Sequence, residues 1–134
     1  RALNLDGLVP AAEVQRLTLV EKCSVFDGAP FPICLLELLL TEAGTLRDFM
    51  FQYVNHEMEL LEGRPAAELV GHTILELYQE IDVKALVAYA DVALNGTNRI
   101  VQIVGFSSGR PMTVGCHQPE EGFCICCVTA VNDV

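Results

Sequence analysis

The chain has 134 residues, enough for one domain that buries roughly two-thirds of its unfolded surface. Its 51% hydrophobic and 19% charged residues exclude a disordered tail. Eighteen acidic against eight basic residues give a net charge of −10, which repels nucleic-acid phosphates and anionic membrane surfaces. The longest run without charge, Gly122 to Asn132, has eleven residues, against the ~20 that a membrane span needs. The chain opens on Arg1 rather than Met and reads as a piece of a longer protein, in a cytoplasmic setting.

The first element is predicted as a helix over residues 8–26. Leu8, Ala12, Leu19, Cys23 and Phe26 fall on one helical stripe. Val9, Val14, Leu17 and Val20 widen that stripe, so the helix is expected to bury more than one side. One side would cover its own sheet; another, through Leu8, Val9 and Leu19, would pack on a second copy as a two-fold homodimer. Residues 1–30 are thus read as an N-terminal helix and connector, and residues 31–134 as the domain proper.

Ile33 to Thr41 and Asp48 to Val54 read as two strands of a hairpin about the turn Glu42-Ala43-Gly44. From Asn55 to about Asn95 the period is helical. Gly63-Arg64-Pro65 and Gly71 cut this stretch into short helices, and the last, about residues 82–94, is bounded by Asp82 and Asn95-Gly96. Arg99 to Phe106, Met112 to His117 and Phe123 to Val131 then form a meander of three strands. The order points to an α+β domain on an antiparallel sheet.

At this point the residues resemble a PAS domain, the sensor module of bacterial signalling proteins. Phe51-Gln52-Tyr53-Val54-Asn55 is similar to the family's second strand and the Asn that opens its first short helix. Glu57 to Gly63 resembles the E-x-x-x-G helix, and Glu68-Leu69-Val70-Gly71 the turn before the third short helix. Gly109 to Val114 resembles the start of the fourth strand, and Asn132-Asp133-Val134 the exit element leading to an output domain. The resemblance spans about residues 31–134 and is nearest to PAS domains attached to diguanylate cyclases.

It implies a five-stranded antiparallel sheet with short helices on one face and an N-terminal helix. It also implies a space between helices and sheet for a small ligand. The expected pocket walls are Met58, Leu61, Leu75, Leu77, Tyr78, Leu86, Tyr89 and Ala90, with the two tyrosine hydroxyls available to a ligand. The competing reading is that these residues only fill a core. Asp133 is the expected transmission residue toward a C-terminal output domain. No cofactor is named by the resemblance. The His that commonly ligates haem in the family is absent from residues 82–94, and the Asn-Cys-Arg-Phe motif of its flavin-binding members is also absent.

Other chemistry finds less support. His56, His72 and His117 lack metal-site spacing and are expected to cap or lie at the surface. The carboxylates from Glu57 to Asp82 (Glu59, Glu62, Glu68, Glu76 and Glu80 among them) are expected on a solvated face. No nucleophile motif or phosphate-binding loop occurs, so the segment is not read as an enzyme. Cys124 and Cys126 would share one face of a strand and Cys127 the other. All six cysteines are expected to be reduced, metal-free and mostly packed in the core. The alternative is a redox or metal sensor built on Cys116, Cys124 and Cys126.

Overall fold

In a computed structural model, residues 11–132 are described. Helix α1, Ala11–Lys22, runs into a 3₁₀ turn, Cys23–Phe26. Strands β1, Ile33–Leu40, and β2, Leu46–Val54, follow. Then come helices α2, His56–Glu62, α3, Ala66–Leu69, α4, Ile74–Leu77, and α5, Val83–Asn95. Strands β3, Arg99–Val104, β4, Pro111–His117, and β5, Phe123–Val131, complete the order. The five strands form one antiparallel sheet in the order β2-β1-β5-β4-β3. The hairpin and the meander therefore meet where β1 pairs with β5.

The apolar run of β1 has a physical reason in this arrangement. Both faces of the sheet's centre are covered, so both phases of the strand must be apolar. Cys34, Leu36 and Leu38 join Phe49, Phe51, Met112, Val114, Cys124, Cys126 and Val128 beneath helices α2 to α5. Ile33, Leu35, Phe123 and Ile125 face the other way, against Leu19 and Cys23 of the N-terminal segment. Glu37, the one charge in β1, accepts from Arg16 of α1 at 2.8 Å and from Gln52 of β2 at 2.9 Å.

One side of α1 faces the sheet of its own chain. Only Leu19 is buried in it, while Val14 and Leu17 are 48% and 56% exposed. Leu19, expected at a contact between copies, is 4% exposed because it packs on the sheet of its own chain. Leu8 and Val9, the other two residues expected there, lie outside the described residues.

The short helices are set by their caps. Asn55 opens α2, its Oδ1 accepting from Met58 N at 3.0 Å, and Gly63 closes the helix at φ +69°. Thr73 and Glu76 make a reciprocal capping box on α4. Asp82 caps α5 through Lys84 N at 3.0 Å and also accepts from Val104 N at 2.9 Å, fixing the helix to β3.

Candidate functional site

Between the helices and the sheet lies a cavity of about 40 Å³. That is room for one or two water-sized groups. Its helical wall is Met58, Leu61 and Glu62 of α2, Ile74 of α4 and Tyr89 of α5. Its sheet wall includes Cys34, Met112, Val114, Cys126 and Val128. Leu61, Glu62 and Phe106 are only half-buried and form its rim.

Among the lining residues Glu62 is the one carboxylate. Burial raises its pKa above the ordinary Glu value, opposed by hydrogen bonds from Tyr78 and Ser107 and by the charge of Arg64. Tyr78 donates its hydroxyl to Glu62. Its ring lies under the Arg64 guanidinium, 5.5 Å from the centroid, and 5.9 Å from the Phe106 ring. Burial, with that hydrogen bond next, pushes the Tyr78 hydroxyl above its ordinary range. Tyr89 packs edge-on to Phe49 at 6.1 Å, and burial raises its hydroxyl pKa too.

The expected wall residues separate into groups. Met58, Leu61 and Tyr89 line the cavity. Leu86 and Ala90 are buried in the same core but away from the cavity lining, and Leu77 packs partly buried against that core. Tyr78 is buried beside the rim, with its hydroxyl committed to Glu62 rather than open to a ligand. Leu75 is displaced outward, 49% exposed, because its neighbour Ile74 occupies the inward position of the four-residue α4. A helix of one turn has a single inward phase, and the expectation for Leu75 is one residue out. Asp133 lies outside the described residues.

The sheet wall is absent from the expected set, although strand alternation points to it. Met112 and Val114, and likewise Cys124, Cys126 and Val128, are the inward positions of β4 and β5. Glu62, expected with the solvated acids, instead lines the cavity. His56 and His72 stay near the surface, each beside a glutamate of its own segment.

Three thiols converge under α5. Cys116 of β4 faces Cys126 of β5 directly across the ladder, and Cys124 lies two residues along on the same face. All three are buried, and their sulfurs lie within 4.8 Å of one another. Hydrogen bonds from Cys124 and Cys126 hold the Cys116 thiol well below its ordinary range, helped by the charges of Arg99 and His117. The Cys124 thiol is raised, first by its hydrogen bond to Cys116, and the Cys126 thiol is raised mainly by burial. Cys127 points to the opposite face and is half-buried.

The sheet order and the helical cap define the fold of PAS and LOV domains. The chain is similar to the solved LOV protein of Rhodobacter sphaeroides, with a TM-score of 0.58 at 13% identity, covering 86% of this chain. It spans 66% of that protein's length. It is also similar to the PAS domain of an HTR-like protein from Haloarcula marismortui, with a TM-score of 0.48 at 16% identity, covering 87% of this chain and 98% of that one. No family model matches the chain, and no curated protein matches it. Among the described residues no helix is long and apolar enough to cross a membrane.

Proposed function

We propose that the chain is a sensory PAS module of a multidomain signalling protein, without catalysis of its own. It would pass the state of its helix-covered cavity to a C-terminal output domain, a diguanylate cyclase being the expected kind. The observation that carries this reading is the cavity's shared wall. Cys126 and Val128 line it, and the same strand β5 runs on to Val131, the last residue before the exit element. A change at the helical wall is therefore felt on the strand that leads outward. An occupant larger than one or two waters requires α2 and α5 to lift from the sheet. Such an occupant signals only if it binds the two states with different affinity.

The test is a pair of substitutions on α2. Met58 is buried on the cavity, while Leu60 is 62% exposed on the same helix. Met58→Ala should shift the backbone amide resonances of Thr129 to Val131, and Leu60→Ala should leave them in place. Equal silence of both variants at that end of β5 would refute the reading. In the longer protein, Asp133→Ala should change the response of the output domain and leave this domain's melting temperature unaltered.

The homodimer is proposed on a revised surface. Val14, Leu17 and Val25 are exposed on the N-terminal segment, at 48%, 56% and 76%. Leu17→Glu should then convert a dimer to a monomer in sedimentation velocity; a wild-type chain that stays monomeric at high concentration removes the proposal.

A further inference from the structure

The three thiols under α5 do more than fill space. We propose that Cys116, Cys124 and Cys126 form a trithiolate site for a soft metal ion, of which monovalent copper is the best fit.

The geometry comes first. Three sulfurs around a metal with bonds of about 2.3 Å stand roughly 4 Å apart at the corners of a triangle. Cys124 and Cys126 are 3.7 Å apart, and the sulfurs of the full set lie within 4.8 Å. Shifts of a few tenths of an ångström, within reach of side-chain rotation, therefore close the triangle. The backbone supplies the arrangement. The Cys124-x-Cys126 spacing puts two sulfurs on one face of β5, and ladder register places Cys116 opposite Cys126. Both β4 and β5 are interior strands, paired on each side, so the ladder holds the three positions in place.

The choice of metal follows from the donors and the surroundings. Thiolates select soft ions. A zinc ion prefers four ligands, whereas the converging set supplies three. All three residues are buried, which places the set inside the apolar core. The neighbouring cavity offers a route with the same preference. Cys34, Met58 and Met112 line it together with Cys126 of the trio, so three further sulfur side chains stand in the same cavity wall. A hard cation gains nothing from thioethers; a soft one does.

Charge and protons balance without any redox step. The copper enters as Cu(I) and leaves the binding step as Cu(I). Three thiols give up their protons as three sulfur–copper bonds form, so the bound site carries a charge of −2 where the three thiols carried none. Metal affinity should accordingly rise with pH, as thiol protons are released more readily.

The probe is Cu(I), supplied anaerobically as its acetonitrile complex to the reduced chain and competed with a coloured copper(I) chelator. One equivalent should bind, with thiolate-to-copper charge-transfer absorption in the near ultraviolet. Cys116→Ala, Cys124→Ala and Cys126→Ala should each weaken binding by about 100-fold or more, beyond the ~10–100-fold typical of outer-shell partners. Cys23→Ala and Cys127→Ser, on the opposite face, should bind as the wild type does. Binding that survives all three inward substitutions, or that falls equally with Cys127→Ser, overturns the site. Because an inward substitution could loosen the core, the wild-type chain supplies a second readout. Bound Cu(I) should protect Cys116, Cys124 and Cys126, but not Cys127, from alkylation during partial unfolding in urea, as read by mass spectrometry. Equal modification of the four with and without copper overturns the proposal independently of any variant.

Discussion

Asn55 is a buried amide with four hydrogen bonds, and its replacement gives the sharpest test of the packing argument. It is 2% exposed. Its Oδ1 accepts from Ile33 N and Met58 N, each at 3.0 Å. Its Nδ2 donates to Phe26 O at 3.1 Å and Phe31 O at 2.9 Å. One amide thus ties the 3₁₀ turn, the entry to β1 and the start of α2. Asn55→Ala removes a helix cap, worth about 1 kcal/mol. It also strands a buried N–H at Ile33, at a cost of about 1–3 kcal/mol. The two carbonyls lose a donor, adding roughly 1 kcal/mol. The sum is about 3–5 kcal/mol, at least roughly a fifth of the ~5–15 kcal/mol that a domain of this size has. Melting temperature should fall by roughly 10–25 °C, since 1 kcal/mol moves it by about 3–5 °C at this length. Asn55→Asp refines the test. It keeps the acceptor but points a second oxygen at two carbonyls, so the protonated acid is the form that fits. The folded-state pKa is then raised, and stability present at low pH is lost as pH rises through that value. Urea titrations of both variants across the acid range measure this. A loss below about 1 kcal/mol for Asn55→Ala would show that the three segments are held by apolar packing alone.

The remaining predictions concern the cavity, one glycine and the thiols. Glu62 has a raised pKa in the folded state, so it binds protons more readily folded than unfolded, and stability falls as pH rises above the ordinary Glu range. Glu62→Gln, which can still accept from Tyr78, should be at least as stable as wild type at neutral pH, with the difference shrinking on acidification in thermal melts. Leu36→Ala enlarges a cavity that Leu36 already lines and should cost about 2–5 kcal/mol in urea unfolding. Gly63 sits at φ +69° with open space where a methyl group would project, so Gly63→Ala should cost only the backbone strain, about 1–2 kcal/mol by denaturant titration. In native metal-free protein, an aromatic disulfide reagent should label half-buried Cys127 first and the five buried cysteines only as the chain opens.

Most of the element order is legible in the sequence because its signals are local. Asp82 and Gly96 bound α5 through a side-chain oxygen and a positive φ, which are properties of single residues. The alternation of β4 and β5 likewise separates Cys124 and Cys126 from Cys127 without any knowledge of the sheet. What stays hidden depends on partners distant in sequence. Leu75 and Ile74 are equally apolar, and contacts with β2, among them the bridge from Met50 to Thr73 and the bond from Leu75 N to Asp48, fix which one faces in. Glu62 reads as one acid among many until Tyr78, sixteen residues later, folds over it. The sulfur triangle, by contrast, is legible: the Cys124-x-Cys126 spacing and a neighbouring strand carrying Cys116 name all three corners, and the register of β4 against β5 sets Cys116 opposite Cys126.

The strand order also governs how the chain reaches this structure. β5 lies at the centre of the sheet, yet it is the last of the five strands to be synthesised. Until it emerges, β1 and β4 each have one ladder edge with nothing to pair with, and their apolar faces have no continuous sheet beneath the helices. Ile33 must then find Cys127, across nearly the whole length of the domain. Pairings of such long range make for slow folding, because loop-closure entropy is spent before the contacts form. During translation, nascent chains lacking β5 should therefore hold two open apolar edges, the species most prone to pair with one another or to recruit a chaperone.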